Sequence, residues 1–261
     1  MALADEFDGF LIDLDGVVWE GRELLSGAQE TLTRLLGDGK RVVFVTNNPA
    51  RAPAVYAKRL REAGIPVDDS QVVTAGIVTA RLAAARLGPG GKAFVIGAPG
   101  FKQTVGAAGL TLLEGKAARE ADAVLVSGHR EFDYEELLTA TLALQRGAVL
   151  LATSRDPTLP MPGGAWPGTG AVLAAVETAS GGRAEIGGKP ERHLFDQARE
   201  LIGDAERVAI VGDRLASDIE GGRRAGLATI LVLTGAGTRE QAEAAEPPPD
   251  HVLDDLTGLL R

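Results

Sequence analysis

The sequence predicts an α/β protein, a mostly parallel sheet covered by helices with a second α/β unit inserted into it. Three observations carry that prediction. Strand-like apolar runs alternate with segments whose apolar residues recur at helical spacing. Three of the runs, at 10–13, 41–46 and 207–213, end on polar residues, and open parallel sheets bind ligands beyond the carboxyl ends of their strands. The middle third carries its own strand-like and helical runs and is entered through Gly88-Pro89-Gly90-Gly91, a linker-like stretch. A chain of 261 residues that is 45% apolar can bury one large core or two modest ones.

The elements follow in order. Phe10-Leu11-Ile12 run into Asp13, Asp15 follows, and Gly16 lets the chain turn. Ala28, Leu32, Leu35 and Leu36 lie at helical spacing within 27–37, and Gly37-Asp38-Gly39 stops that helix. The run from Arg41 to Val45 is a strand that delivers Thr46-Asn47-Asn48-Pro49. A helix over 52–63 ends at Gly64, and an extended piece reaches Thr74. In the middle third, 92–96, 122–127 and 148–153 read as strands, with a helix at 134–146. Gly163-Gly164, Gly168 and Gly170 break the chain before an apolar helix at 170–179, and Gly181-Gly182 marks the return to the first unit. Gly187-Gly188-Lys189-Pro190 then opens a helix at 191–202, and the run 207–212 delivers Asp213, with Asp218 five residues on. Runs at 228–233 and 251–253 extend the sheet, separated by the loop Pro247-Pro248-Pro249.

Composition narrows the function classes. A formal charge of −9 and a pI near 5.0 argue against a surface built for phosphate backbones, so no nucleic-acid partner is expected. The absence of cysteine excludes disulfides, thiolate metal sites and thiol catalysis. No uncharged apolar run reaches membrane-spanning length and the first residues lack a signal pattern, so the expectation is a cytoplasmic protein without a membrane partner. Neither a GxGxxG after a strand nor a GxxxxGK[ST] occurs, which disfavours a nucleotide-binding module.

Residues i and i+2 of a strand share a face, so Asp13 and Asp15 can enter one site. Two anions so close repel, and a divalent metal with oxygen ligands is the natural partner. Taken singly, each polar segment has an ordinary reading: Thr46-Asn47-Asn48 as a turn, Lys189 as a solvated loop lysine, Asp213 as a helix N-cap and Asp218 as a surface acid. His129 is expected on the surface, and Phe132 and Trp166 are expected to pack rather than to stack on a ligand.

Taken together and in order, DLDG, TNN, GGKP and GD with a second Asp five residues on resemble the haloacid dehalogenase (HAD) superfamily of phosphatases. Ala152-Thr153-Ser154-Arg155-Asp156-Pro157 and Pro167-Gly168-Thr169-Gly170 further resemble its large-cap subgroup, which includes phosphoglycolate, glycerol-3-phosphate, pyridoxal-phosphate and nitrophenyl-phosphate phosphatases. The resemblance implies a Rossmann-like, doubly wound parallel-sheet core at 1–85 and 184–261 and an inserted α/β cap at 86–183. It implies a Mg²⁺-dependent phosphatase acting on a small-molecule phosphate monoester. Asp13 would be the nucleophile that forms an aspartyl-phosphate, and Asp15 the general acid and then base. Mg²⁺ would be held by Asp13, the backbone carbonyl of Asp15 and Asp213. Thr46, Asn47, Asn48 and Lys189 would bind phosphate, and Asp218 would orient Lys189 or a metal-bound water.

Relatives acting on pyridoxal phosphate tend to carry histidine where Leu159 stands, so a small phosphorylated acid or polyol is the expected substrate. Pro49 and Ser154 also depart from the usual residues, serine and Asn or Asp. A homodimer through the cap is implied by the same analogy. The alternatives are a phosphotransferase using the same intermediate and a non-catalytic sugar-phosphate binding protein; a two-component receiver domain needs about half this length.

Overall fold

A strand buried on both faces must be apolar along its whole length, and the runs ending at Asp13 and Asp213 meet that condition. The computed structural model describes residues 2–161 and 164–261. Its first third holds β1 (Gly9–Asp13), β2 (Trp19–Glu20), β3 (Glu23–Leu24), α1 (Ala28–Gly37), β4 (Arg41–Thr46), α2 (Pro53–Glu62), β5 (Val72–Thr74) and α3 (Ala75–Leu87). The middle holds β6 (Lys92–Ile96), α4 (Pro99–Ala107), β7 (Thr111–Leu112), β8 (Ala123–Val126), α5 (Tyr134–Gln145), β9 (Val149–Ala152), β10 (Thr158–Met161), β11 (Gly164–Pro167), α6 (Thr169–Ser180) and β12 (Glu185–Ile186). The last third holds α7 (Arg192–Ile202), β13 (Val208–Gly212), α8 (Glu220–Arg224), β14 (Ala228–Val232), α9 (Arg239–Ala244) and β15 (His251–Leu253).

The chain divides into two units. The first comprises Met1–Thr46, Pro53–Val73 and Lys189–Arg261, and the second Asn47–Ala52 and Thr74–Gly188. The sheet of the first unit has six strands in the order β15-β14-β13-β1-β4-β5. Its central strand, β1, pairs in parallel with both β13 and β4: Ile12 lies opposite Val211 on one side and Phe44 on the other. This register brings Asp13, Thr46 and Asp213 to the same edge of the sheet. Below that edge, Phe10, Ile12, Leu32, Leu35, Phe44, Trp19 and Leu60 form one core cluster. Helix α7 buries Leu194, Ala198 and Ile202, one stripe at a spacing of four.

The second unit has a parallel sheet of five strands, β12-β9-β8-β6-β7. Ile96, Val124, Val126 and Leu173 pack in one cluster and Val95, Phe101, Leu125 and Leu151 in another, as expected of a sheet covered on both faces. Helix α3 belongs here because Ala80 and Ala83 pack into the second of these clusters. Apart from Asn47–Ala52, the unit spans Thr74–Gly188, where the sequence predicts 86–183. The periodicity reading did not anticipate α3, because its buried residues include Ala75, Gly76, Ala80 and Ala83, too small to draw an apolar stripe. It also missed α4, the β2/β3 hairpin and the antiparallel β10/β11 pair. The expected chain break at Gly163 lies outside the described residues.

Two expectations for this unit need correction. His129 is not at the surface: its side chain is 7% exposed and its Nε2 lies 2.7 Å from Glu136 Oε2. A buried imidazole needs a polar partner, and the acid of α5 supplies it. Trp166, expected to pack, is 37% exposed and carries the guanidinium of Arg130 over its ring at 4.3 Å. Phe132 does pack against the cluster around Ile96. Among the described residues no helix is long and apolar enough to cross a membrane.

Candidate active site

Three parallel strands deliver the first group of residues. Asp13 ends β1 and Thr46 ends β4, while Asp213 follows β13; all three are buried. After Asp15 the chain reverses at Gly16, whose φ of +86° favours glycine and where a Cβ would come within 2.5 Å of Asp213 Oδ2. Gly212 is equally constrained, since a Cβ there would overlap the side chain of Asp218. Asp218 reaches that position from the turn Leu215–Ile219 beyond β13.

Lys189 opens the return of the chain into the first unit, and it is 2% exposed, not a solvated loop lysine. Its Nζ lies 2.7 Å from Asp13 Oδ1 and donates to Asp218 Oδ1 at 2.6 Å. The other oxygen of Asp218 accepts from the backbone N–H of Arg214 at 3.1 Å and from Ser217 Oγ at 3.3 Å. Asp213 Oδ2 accepts from the Ala236 N–H at 2.7 Å, whereas its buried Oδ1 has no hydrogen-bond partner. Asp15 is held by two donors, Trp19 Nε1 on Oδ1 at 3.0 Å and the Thr46 hydroxyl on Oδ2 at 3.4 Å.

Charge decides what this group can hold. Asp13, Asp213 and Asp218 each offer a carboxylate oxygen, and the three lie within 4.8 Å of one another, with the Lys189 ammonium as their buried counter-charge. Burial pushes Asp13 well above the ordinary carboxylate range, against the opposing pull of Lys189. Burial, reinforced by Asp218, raises Asp213 to about 6. Burial also disfavours the charged Lys189, but Asp13 and Asp218 outweigh it and its pKa is raised. The cluster is thus short of positive charge and keeps one orphaned hard oxygen, Asp213 Oδ1. That donor set suits a divalent cation with oxygen ligands. Asp218 is the poorer ligand because both its oxygens are already engaged.

The structure brings Asp13, Asp15, Thr46, Lys189, Asp213 and Asp218 together within the first unit. Asn47 and Asn48 belong to the second. There Asn47 Nδ2 donates to Asp156 Oδ2 at 2.9 Å and Asn48 Oδ1 accepts from the Ala50 N–H at 3.1 Å. Sequence reasoning missed Trp19, whose only signal was an indole donor four residues past Asp15 across a glycine turn.

Residues 10–111 match the family described as haloacid dehalogenase-like hydrolase, and residues 186–259 match HAD-hydrolase-like. The chain is similar to glycerol-3-phosphate phosphatase of Gallus gallus, with 38% identity over 99% of this chain and 93% of the relative. It is similar to chronophin of Mus musculus, with 40% identity over 97% of this chain and 91% of the relative. Among solved structures, glycerol phosphate phosphatase from Mycobacterium tuberculosis in complex with magnesium matches with a TM-score of 0.90 and 37% identity, over 99% of this chain and 78% of that one.

Proposed function

The chain belongs to the haloacid dehalogenase-like hydrolase family and is a Mg²⁺-dependent phosphatase; from that premise we propose that it hydrolyses small phosphate monoesters of the glycerol-phosphate class through Asp13. The observation that carries the residue roles is the buried Lys189 ammonium, 2.7 Å from Asp13 Oδ1 and 2.6 Å from Asp218 Oδ1, beside the unpartnered oxygen of Asp213. A phosphate ester is a slow substrate for hydrolysis, and a covalent intermediate divides its barrier into two.

Asp13 attacks phosphorus as its carboxylate and becomes an aspartyl-phosphate while the ester oxygen departs. Asp15 gives that oxygen a proton, then takes one from the water that attacks the aspartyl-phosphate. Lys189 holds Asp13 in place and offsets the charge gathering on the phosphoryl oxygens. Thr46, at the end of β4, supplies a further donor to those oxygens. Asp218 fixes the ammonium of Lys189. Asp13, the backbone carbonyl of Asp15 and Asp213 would hold Mg²⁺, which would supply positive charge to offset the repulsion between an anionic nucleophile and an anionic phosphate. The choice of substrate belongs to the second unit, where Leu159 stands 38% exposed on β10, and the polyol preference rests on that residue and on the glycerol-phosphate relatives.

Phosphate release from a panel of monoesters with Mg²⁺ tests the proposal. Glycerol phosphate is expected to rank among the best substrates, and Asp13→Asn to lower turnover by at least about 10³-fold. Full activity in Asp13→Asn would overturn the nucleophile assignment. A loss of free phosphate on adding alcohol acceptors would convert the reading to phosphotransfer.

A further inference from the structure

Asp15 is supported from an unexpected place. Trp19 is 1% exposed, yet its indole N–H points at Asp15 Oδ1 from 3.0 Å. The turn between them is fixed by the backbone: Gly16 N–H donates to the Trp19 carbonyl at 2.8 Å, and the Val18 and Trp19 N–H groups both donate to the Leu14 carbonyl, at 2.9 and 3.2 Å. Trp19 also starts β2, opposite Leu24 of β3. Helix α2 holds the ring itself. Tyr56 stacks on it at 6.3 Å between centroids and 14° between planes, and the Arg59 guanidinium sits 3.9 Å from the ring centroid while donating to the Gly21 carbonyl at 2.9 Å. An indole gripped in this way has one orientation, and its N–H is spent on a single carboxylate oxygen.

We propose that Trp19 is a positioning residue for phosphoryl transfer, pinning Oδ1 of Asp15 so that Oδ2 is the oxygen that carries and delivers the proton. The inference rests on the reading of Asp15 as general acid and base. An indole N–H can donate but not accept, so a proton on Asp15 must sit on Oδ2, the oxygen that also meets the Thr46 hydroxyl. As the bond from Asp13 to phosphorus forms and the ester bond breaks, the proton on Oδ2 passes to the departing alkoxide. When water attacks the aspartyl-phosphate, the bond from water oxygen to phosphorus replaces that to Asp13, and Oδ2 takes up the water proton. Without the indole, the carboxyl group is free to rotate and either oxygen can face the ester.

Leaving-group dependence tests this. An alkoxide needs a proton to depart, whereas p-nitrophenolate does not. Trp19→Phe keeps a ring against Tyr56 and Arg59 and removes the N–H. It is expected to lower kcat/KM for glycerol phosphate by about tenfold or more, while kcat/KM for p-nitrophenyl phosphate falls less than about threefold. A merely structural role would lower both alike, and that result would overturn the proposal. Asp15→Asn, measured on the same pair, separates the two readings. If it shows no such split, the acid role of Asp15 itself is wrong; if it does and Trp19→Phe does not, only the role of Trp19 fails. Should the phenylalanine variant not fold, benzothienylalanine at position 19, which matches the indole shape with sulfur in place of N–H, must give the same split, and equal losses on both esters would again overturn the proposal.

Discussion

Replacing Lys189 with methionine removes the counter-charge from a dry acidic cluster and leaves its shape nearly intact. The ammonium is 2% exposed and lies 2.7 Å from Asp13 and 2.6 Å from Asp218, which are 8% and 0% exposed at their side chains. Breaking one buried ion pair leaves an uncompensated charge and costs about 3–5 kcal/mol. The two pairs here share one lysine and the acids can take up protons, so the expected loss for the metal-free protein near neutral pH is about 4 kcal/mol rather than twice that. Such a loss is a large part of the ~5–15 kcal/mol that holds a domain together. Urea unfolding in a chelator measures it. Adding Mg²⁺ at a hundred times its dissociation constant should return about 2.7 kcal/mol, because only the folded state assembles the ligands. Protonating a stranded carboxylate relieves the same defect, so the deficit of Lys189→Met should narrow as pH falls. A loss below about 1 kcal/mol in the chelator would show that Lys189 does not neutralise these acids.

Other measurements bear on neighbouring parts of the molecule. Asp213, raised from 3.8 to about 6, contributes stability that is present at low pH and lost as pH rises. In a chelator the wild type should therefore lose ground to Asp213→Asn across that window, at no more than about 1.4 kcal/mol per pH unit; with Mg²⁺ the order should reverse, and a flat difference would refute the assignment. In the second unit, Glu177 accepts from the two terminal guanidinium nitrogens of Arg155, at 2.9 and 2.7 Å, and from the Ala184 N–H at 2.8 Å. The hydrogen bonds from Arg155 hold its carboxyl below the usual range. Glu177→Gln should cost about 1 kcal/mol near neutral pH, a figure reduced for the partial exposure of the pair. That cost is present above the ordinary glutamate value and vanishes as pH falls through the lowered one, which paired thermal melts will reveal. Gly16→Ala should cost about 2 kcal/mol and weaken Mg²⁺ binding seen by calorimetry, because it adds positive-φ strain to a clash with Asp213.

Much of the core and its site could be read from the chain because both obey local rules. A strand covered on both faces has to be apolar throughout, so the runs before Asp13, Thr46 and Asp213 stood out, and a parallel arrangement sends their last residues to one edge. What escaped depends on partners distant in sequence or on residues too small to make a pattern. Helix α3 is built on Ala75, Gly76, Ala80 and Ala83, and only its packing against Val95 and Phe101 assigns it to the second unit. His129 is buried because Glu136 reaches it across a loop, a pairing that periodicity does not express. The role of Trp19 needed the turn at Gly16 to be folded before the indole and the carboxylate could meet.

The close backbone wall around Asp213 has a consequence for redesign. No side chain fits at Gly16 or Gly212 without displacing Asp213 or Asp218, so random variation at that rim will mostly yield unfolded protein or, under the proposed roles, inactive protein. The antiparallel β10/β11 pair offers the opposite terrain: Leu159 and Trp166 face each other across its two strands and stand 38% and 37% exposed. Exchanges at such positions typically shift stability by only about 0.5 kcal/mol. Under the proposal that the second unit selects the substrate, a library meant to widen the range of accepted alcohols is best confined to Leu159 and Trp166.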